Sequence, residues 1–450
     1  MSGLLYEFTD KEISPWGGLR LIEEVYRKSG LRDFLEDECP DLPIPGSNRG
    51  YSSIDLIEGL MVSILLEAKR LSHTGTLRYD HVVQGIFDWK RGMASQSTFS
   101  RFLRKFDKEL NYSIFPSINR FWFDQIKMDK LTIDFDSSVL VRHGLQEGVE
   151  VGYNPKKPGR GSLHTLMAFV AELKMVANAW MRTGDSVAST DFEEFFDELL
   201  TIIPKDRIGL LRADSGFYGN DMLTRIEEEQ IDYIVAARMN RGLVQRIVEQ
   251  WSWFAQVDGY WTANFPYQAH GWDIPRRIIV VRKDARKHPS TGGKLLFPEI
   301  EEPERSGARR SQFEGYKYIA FVTNLGLSSE LVWHLYNKRA DCENRIRELR
   351  NDYGIEGFCL DDFYATEAAI RWAMVNHNLM SLFRLQVLNH KHHPVLSTMK
   401  FQCIAIGSYL AISGRQTVLK LSAKQKRRQF LEGLFQKLDG FSPPFQMSNA

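Results

Sequence analysis

The sequence predicts an α/β protein with helical regions on either side of its core. In residues 126–239, strand-like and helix-like runs follow the order strand, strand, strand, helix, strand, helix, strand. Residues 1–125 instead carry the 3.6-residue apolar spacing of amphipathic helices. Residues 240–316 lose both periodicities and become aromatic-rich, which is typical of short antiparallel strands. These observations predict an α/β core with a β-rich segment at 240–316.

Helices are predicted before the core because apolar residues recur there at helical spacing. These helices cover residues 19–37, 53–69 and 112–126. The segment LRYDHVVQGIFDWKRGMASQSTFSRFLRKF has the plan of a helix-turn-helix, with Gly92 in the turn and Ser95 or Ser97 capping the second helix. That helix would carry three cations, Arg101, Arg104 and Lys105. An ordinary helical hairpin with a basic rim fits the same pattern, so both interpretations stay open.

The first core strand, LTIDFDSSVLV at 131–141, places Asp134 and Asp136 on one face and apolar residues on the other. Two carboxylates on one face of a mostly apolar strand are costly unless they bind a cation or a hydrogen-bond donor. A later buried strand, RIGLLRAD, ends at Asp214. Between them lies a Gly- and Pro-rich basic loop, VGYNPKKPGR, which is not expected to form regular structure. Its cations are Lys156, Lys157 and Arg160.

Beyond the insertion, residues 317–324 predict a strand, and residues 331–353, which contain no Gly or Pro, predict a helix. One stripe of this helix consists of Tyr336, Arg339, Glu343 and Arg350. A solvated salt-bridge face is the ordinary interpretation of such a stripe. However, Arg339 precedes Glu343, and this cation-first order is the weaker one for a surface pair. A long buried helix follows, and the tail predicts two more helices around 396–412 and 422–438.

These changes of pattern divide the 450 residues into five regions. They are a helical N-terminal region at 1–125, the first part of the core at 126–239, the β-rich insertion at 240–316, the second part of the core at 317–390 and a helical C-terminal region at 391–450. The N-terminal region would be the DNA-binding region under the helix-turn-helix interpretation.

Composition argues against several classes of protein. Hydrophobic content of 43% and charged content of 26% are ordinary for a soluble globular chain. No apolar run reaches the roughly 18 residues of a membrane span, and the first residues lack a signal-peptide pattern, so we expect a cytoplasmic protein with no membrane partner. The four cysteines form no CxxC pair, which argues against a zinc site or disulfide framework. The net charge of +1 leaves nucleic-acid binding open, but the basic clusters suit local DNA contacts.

Three acids form a constellation: Asp136 within a strand, Asp214 at the end of a later strand, and Glu343 on a helix after an inserted region. Oxygen-only ligands of this kind suit Mg²⁺ or Mn²⁺. Their order resembles that of the DDE transposases of bacterial insertion sequences. The specific match is the helix motif Y-x2-R-x3-E-x6-K of one large group. Here the motif reads Tyr336, Arg339, Glu343 and Arg350, with Arg for Lys at the last place. The stretches DFDSS, GYNPKKPGR, RADSGFY and ENRIREL also look like one branch of that group.

The resemblance implies a ribonuclease H-like catalytic core in which Asp136, Asp214 and Glu343 bind Mg²⁺, with Mn²⁺ as a substitute and two ions per site. It also implies that this core is a mixed sheet with flanking helices and that the β-rich segment at 240–316 is an insertion in it. Asp134 is the alternative first ligand, because it points the same way as Asp136. The serines after Asp136 favour Asp136, since related enzymes commonly follow this ligand with Thr or Ser. The remaining motif residues, Tyr336, Arg339 and Arg350, are expected to contact DNA near the scissile phosphate.

The function implied is that of a transposase. It would bind the terminal inverted repeats of its insertion sequence, cleave the DNA ends and join the 3′-hydroxyl ends to target DNA, as a homodimer on double-stranded DNA in the bacterial nucleoid. We expect the helix cations to help select the end sequence and the loop cations to grip the DNA backbone. Two alternatives are a metal-dependent nuclease without strand transfer and a DNA-binding protein with a decayed core. The intact acids argue against the second.

Relatives that use a DNA hairpin intermediate flip a base onto an aromatic side chain in or near the insertion. Trp272 and Trp261 are the candidates for this role here. The ordinary role of a tryptophan in such a segment is to pack in the core, so both interpretations stay open.

Overall fold

The structure is a computed structural model, and it describes residues 4–39, 42–43, 50–154, 157–255, 259–284, 311–313, 315–389 and 393–447. These residues form two compact units. The helical unit contains residues up to 127, residues 145–147 and residues 347–447, and the sheet unit contains residues 128–144 and 148–346.

Among the α-helices of the described residues, the first six and the last three lie in the helical unit, the seventh to the tenth lie in the sheet unit, and the eleventh contains the boundary at 346/347. In chain order, these helices are α1 (Leu19–Lys28), α2 (Leu31–Asp33), α3 (Ser53–Leu65), α4 (His81–Phe87), α5 (Gln96–Leu103), α6 (Lys108–Gln125), α7 (Phe192–Ile202), α8 (Asn220–Glu228), α9 (Arg241–Val248), α10 (Ser329–Asn337), α11 (Ala340–Asn351), α12 (Phe363–Phe383), α13 (Leu396–Met399) and α14 (Gln425–Asp439). No helix in this part of the chain is both long enough and apolar enough to cross a membrane.

The strands lie mostly between residues 131 and 323. They are β1 (Ile126–Lys127), β2 (Leu131–Val141), β3 (Glu150–Val151), β4 (Gly161–Val170), β5 (Met175–Thr183), β6 (Ile208–Ala213), β7 (Tyr233–Ala236), β8 (Phe254–Ala255), β9 (Tyr260–Tyr267), β10 (Arg276–Asp284), β11 (Gln312–Phe313), β12 (Tyr316–Thr323), β13 (Ser408–Ser413), β14 (Gln416–Leu421) and β15 (Phe445–Gln446).

The sheet unit is built on one mixed sheet, with the strand order β3-β4-β2-β6-β7-β12-β10-β9-β8. Strand β5 pairs antiparallel with β4, and β4 pairs antiparallel with β2. On the other side of β2, strands β6 and β7 run parallel to it. The predicted order of three strands, helix, strand, helix and strand is confirmed by β2, β4, β5, α7, β6, α8 and β7, to which the structure adds the short β3.

The β-rich segment extends this same sheet. Strand β12 pairs antiparallel with β7, β10 with β12, and β9 with β10. The expectation of antiparallel strands between 240 and 316 is therefore confirmed. Their backbone hydrogen bonds continue the ladder of the core strands, so the described strands of the insertion belong to the core sheet.

Helix α12 is the centre of the helical unit. Every residue from Ala365 to Phe383 is buried, as expected of a helix that packs on all sides. It packs against α3 and α6, among other helices. The prediction of a long buried helix is confirmed. Together with the N-terminal helices, α12 belongs to the helical unit, and the sheet unit ends at residue 346.

The C-terminal region is not wholly helical, and this part of the prediction is wrong. The helix expected at 396–412 ends early, and β13 and β14 form an antiparallel hairpin in its place. Ser413 pairs with Gln416, which leaves a two-residue turn with Gly414 at φ +63°. A glycine at the first turn position matches the backbone twist that hairpins require. The residues LAIS and QTVLKL on either side of this turn pair with each other as antiparallel strands.

Candidate active site

Two neighbouring parallel strands place charged residues side by side on one face of the sheet. Strands β2 and β6 are in register, with Asp134 opposite Arg212 and Phe135 opposite Ala213. After each of these paired segments the next residue is an aspartate: Asp136 follows Phe135, and Asp214 follows Ala213. Since side chains alternate along a strand, the four charged residues share a face. They form two successive rungs, one of opposite charges and one of like charges.

The opposite face of β2 is packed against aromatic side chains, which explains why the acids lie on the other face. Phe135 lies among four aromatic rings, with centroid distances between 5.6 and 6.3 Å, contributed by Phe192, Phe195, Phe196 and Phe217. These rings come mainly from α7, which covers this face. The alternation therefore directs Asp134 and Asp136 towards the other face, as the sequence predicts.

In the first rung, Asp134 is fully engaged by Arg212. The Arg212 Nε donates to Asp134 Oδ1 at 2.6 Å, and Nη2 donates to Oδ2 at 2.8 Å. Both side chains are almost completely buried, with exposures of 3% for Arg212 and 2% for Asp134. The remaining terminal nitrogen, Nη1, donates to the backbone carbonyl of Leu335 at 2.6 Å. Asp134 thus forms a buried, bidentate ion pair with Arg212 in the first rung.

In the second rung, Asp136 lies within electrostatic reach of two other acids. Burial raises the pKa of Asp136 to about 7, with Arg339 opposing the rise and the charges of Asp214 and Glu343 adding to it. Asp214 is half-buried, and its Oδ1 accepts a hydrogen bond from the amide of Gly216 at 2.8 Å. Asp214 and Glu343 are therefore each close enough to Asp136 for their negative charges to disfavour its ionised form.

Glu343 lies in the first turn of α11, after a break that the sequence does not predict. The region 331–353 is two helices, α10 and α11, which are separated at Lys338 and Arg339. The expectation of one continuous helix is therefore wrong. The amide of Arg339 donates to the carbonyl of Tyr336 at 2.8 Å, three residues back, where a continuous helix would use the carbonyl of Leu335. That carbonyl instead accepts from Arg212, which explains how the break is stabilised.

The break turns Arg339 into the interior. Its Nη2 donates to Asp136 Oδ2 at 2.8 Å and to the carbonyl of Phe135 at 3.0 Å. Tyr336 is also buried, and its ring lies 4.5 Å from that of Phe321. Arg339 and Tyr336 are 3% and 5% exposed, and these contacts lie inside the sheet unit. Their contact with DNA stays a prediction.

Arg350, the last motif residue, lies on the part of α11 that belongs to the helical unit. It is half-buried and forms an ion pair with Glu356.

The acids fit a divalent cation by chemistry but do not form a closed ligand set. Their donors are carboxylate oxygens, the ligands that Mg²⁺ and Mn²⁺ prefer. The raised pKa of Asp136 reflects burial and negative potential that a cation would relieve. Within the described part of the chain, however, no three His, Cys, Asp or Glu side chains lie close enough together to hold an ion. At Asp136, the guanidinium of Arg339 supplies the neighbouring positive charge.

The predicted recognition helix is present as α5 but is shorter than expected. Ser95 is its N-cap and accepts a hydrogen bond from the amide of Thr98 at 3.3 Å, while Gly92 has φ +66° in the preceding turn. The helix ends at Leu103. Its three predicted cations, Arg101, Arg104 and Lys105, are all exposed, but the last two follow the final helical residue. Arg104 forms ion pairs of 2.8 Å with Asp361 and Asp362.

The basic loop is described in part. Lys156 lies outside the described residues, whereas Lys157 and Arg160 are exposed. The amide of Lys157 donates to the buried Asn154 side chain at 2.9 Å, and the amide of Arg160 donates to the Lys157 carbonyl at 3.2 Å. The described part of the loop backbone is thus folded on itself, and the side chains of Lys157 and Arg160 face solvent.

The tryptophans of the β-rich segment differ in exposure. Trp272 is buried, lies 5.1 Å from the ring of Tyr218 and faces the guanidinium of Arg276 at 5.0 Å. Trp261 is half-buried and lies 5.7 Å from Tyr316. Trp251, which the sequence did not single out, is 94% exposed.

The sequence also gave no role to Arg212. A signal was present, because an arginine interrupts the apolar strand IGLLRA two residues before Asp214. An arginine in a buried strand requires an acidic partner. Asp134, the acid of the first strand that was not favoured as a metal ligand, was available as that partner.

The comparison with family models agrees with the resemblance at family level. The family model described as Transposase DDE domain group 1 matches residues 2–443. No curated protein of similar sequence was found. Among solved structures, the chain is similar to that titled "Cryo-EM structure of piggyBac transposase synaptic complex with hairpin DNA (SNHP)". The identity is 12% and the TM-score 0.39, over 94% of this chain and 79% of that chain.

Proposed function

Because this chain belongs to the family of group 1 DDE-domain transposases, we propose that it is the DNA transposase of a bacterial insertion sequence. In this proposal it binds the terminal inverted repeats, cleaves the DNA at the transposon ends and joins the resulting 3′-hydroxyl ends to target DNA. The observation that carries the proposal is the second rung. Asp136 and Asp214 directly follow the paired residues Phe135 and Ala213 of two neighbouring parallel strands, and both Asp214 and Glu343 lie within electrostatic reach of Asp136.

The proposal includes a ribonuclease H-like core. Its support is the strand arrangement, in which the antiparallel strands β5, β4 and β2 are continued on the far side of β2 by the parallel strands β6 and β7. Helices α7 and α8 follow strands of this set directly in the chain. The first acid of the site then lies on the central strand β2 and the second at the end of its parallel neighbour.

We assign the first acid to Asp136. Both oxygens of Asp134 accept hydrogen bonds from Arg212, whose buried guanidinium compensates the charge of Asp134. Asp136 uses one oxygen towards Arg339 and lies beside the other acids. Asp136, Asp214 and Glu343 would hold the metal ions, either Mg²⁺ or Mn²⁺. Two bound ions of this type activate an attacking oxygen and stabilise the leaving oxygen in phosphodiester chemistry.

The chain's own residues supply the remaining requirements. The Gly216 amide orients the Asp214 carboxylate. Arg339 holds Asp136 against the end of the α10–α11 break and balances part of the acidic charge. Exposed cations on α5 and in the basic loop supply positive charge for DNA phosphates. Since an insertion sequence has two ends to be joined to one target, we propose that two copies of the chain act together on DNA.

Strand-transfer assays test this proposal. The full chain is incubated with Mg²⁺ or Mn²⁺, a supercoiled target plasmid and a duplex carrying the inverted repeats found beside the gene. A duplex of equal length and unrelated sequence is the control, and a pre-cleaved duplex with a free 3′-hydroxyl separates joining from cleavage. We expect specific cleavage and joined products, both lost in EDTA.

Other outcomes would contradict the proposal in distinguishable ways. Cleavage without joining, even from the pre-cleaved duplex, would identify a nuclease. Specific binding of the repeats with neither reaction would identify a DNA-binding protein whose core has decayed.

A further inference from the structure

We propose that Arg212 is a positioning residue that selects Asp136, rather than Asp134, as the metal-binding acid and holds the helix break that places Arg339. This inference deepens the proposed function, since it assumes that the second rung is the metal site. It depends on three contacts of one buried guanidinium, two to Asp134 and one to Leu335.

The contacts to Asp134 decide between two acids that the strand alternation makes equivalent. Asp134 and Asp136 point to the same face, two residues apart on β2. The register of β6 places Arg212 opposite Asp134 and leaves Asp214 next to Asp136. A cation on one rung and an acid on the other therefore give the two aspartates different chemistry. The first is neutralised by protein, and the second is left with excess negative charge.

The contact to Leu335 couples the same guanidinium to the helix. In a continuous helix the Leu335 carbonyl would accept from the amide of Arg339. At the break this amide bonds to Tyr336 instead, so the Leu335 carbonyl needs another donor, and Arg212 Nη1 supplies it at 2.6 Å. The guanidinium fork is suited to this task, because it donates in two directions at fixed geometry.

The break has a consequence for the site. It directs Arg339 onto Asp136 and begins α11 at Ala340, so that Glu343 falls in the first turn of the new helix. Arg212 touches neither Asp136 nor Glu343 in the described contacts, and it acts on them through Asp134 and the break. Residues that orient metal ligands in this indirect way typically affect metal affinity or activity by about 10–100-fold when changed.

Arg212→Lys tests the coupling. Lysine keeps the charge that neutralises Asp134, but its single ammonium cannot reproduce the fork that also reaches Leu335. We expect the variant to fold and to keep its KM for end DNA, while kcat for end cleavage falls by about tenfold or more. A kcat equal to that of the wild type would overturn the positioning role of Arg212.

Asp134→Asn and Asp136→Asn test the selection of the acid, with Mn²⁺ binding followed by electron paramagnetic resonance in the absence of DNA. We expect Asp136→Asn to weaken Mn²⁺ binding by about tenfold or more, and Asp134→Asn to change it several-fold less. Equal losses in the two variants would show that Asp134 is also a ligand. The double variant Arg212→Met/Asp134→Met guards against misfolding, because replacing a buried ion pair with apolar residues is often neutral for stability.

The double variant gives a further independent outcome. If it folds and cleaves as fast as the wild type, Arg212 positions nothing. A folded double variant that binds Mn²⁺ but cleaves slowly would support the role of the Leu335 contact. Failure of the proposed function looks different, because the wild-type chain itself would then show neither Mn²⁺ binding at Asp136 nor cleavage.

Discussion

Arg339 donates a hydrogen bond to Asp136 across 2.8 Å, from the break between α10 and α11 to the strand β2. Both groups are buried, and Asp136 also feels the charges of Asp214 and Glu343. The arginine therefore balances part of an acidic cluster that would otherwise be strongly self-repelling. Four predictions follow from this arrangement and from the exposed cations.

The first prediction concerns the acids of the second rung. Asp214→Asn and Glu343→Gln should each reduce end cleavage by more than the roughly 10–100-fold that outer-shell partners cause, because each removes a charged ligand. Binding of end DNA, measured by electrophoretic mobility shift, should change little. Asp341→Asn is the matched control, since Asp341 lies on the same helix but pairs with Lys174 at 2.6 Å. Near-normal cleavage by either variant would refute the assignment.

The second prediction concerns pH and stability without metal. Because the pKa of Asp136 is raised to about 7 in the folded protein, folding favours its protonated form. This contribution is fully present below the ordinary pKa of an aspartate and is lost as the pH rises through about 7. The free energy of unfolding of the wild type, relative to Asp136→Asn, should therefore fall by up to a few kcal/mol between about pH 4 and pH 7.

Urea unfolding in EDTA at a series of pH values measures this difference. Adding Mg²⁺ at pH 8 should then stabilise the wild type, because an ion favours ionised Asp136, and should stabilise Asp136→Asn much less. A pH-independent difference between the two proteins would contradict the prediction.

The third prediction concerns the basic loop. Changing Lys157 and Arg160 to Ala should weaken binding to DNA of any sequence, because both cations face solvent and phosphate contacts carry no sequence information. If each contacts one phosphate, the slope of log affinity against log salt should become shallower by roughly 2. Lys130→Ala/Lys205→Ala, which removes two exposed cations elsewhere in the sheet unit, is the matched control. An unchanged salt slope would show that the loop does not grip the backbone.

The fourth prediction concerns α5. Arg101→Ala should reduce discrimination between the true end and unrelated DNA by about 1–3 kcal/mol, the value of one good base contact. The Arg104→Ala variant should keep more of the wild-type discrimination between the true end and unrelated DNA. The reason is that Arg104 follows the end of the helix and is held by Asp361 and Asp362. Competition binding with end and unrelated duplexes measures both, with Lys108→Ala, an exposed cation at the start of α6, as control. Equal loss of affinity for both duplexes in Arg101→Ala would point to a phosphate contact instead.

Local sequence patterns account for the parts of the fold that the sequence alone predicts. The alternation of β2, the Ser95 cap of α5 and the sequence of strands and helices from β2 to β7 depend on neighbouring residues, and they are visible in the chain itself. The three acids were singled out from the elements on which they lie and from a motif on one short stretch, and their role stays a prediction.

The tertiary structure decided what depends on partners distant in the chain. Which aspartate of β2 is neutralised follows from the register with β6, which places Arg212 beside Asp134 across 78 residues. The break at Arg339 depends on that same arginine reaching Leu335, so a helix without Gly or Pro looks continuous in the sequence. The burial of Tyr336 and Arg339, and the joining of the insertion to the core sheet, likewise result from long-range pairing, which residue order alone does not encode in any local pattern.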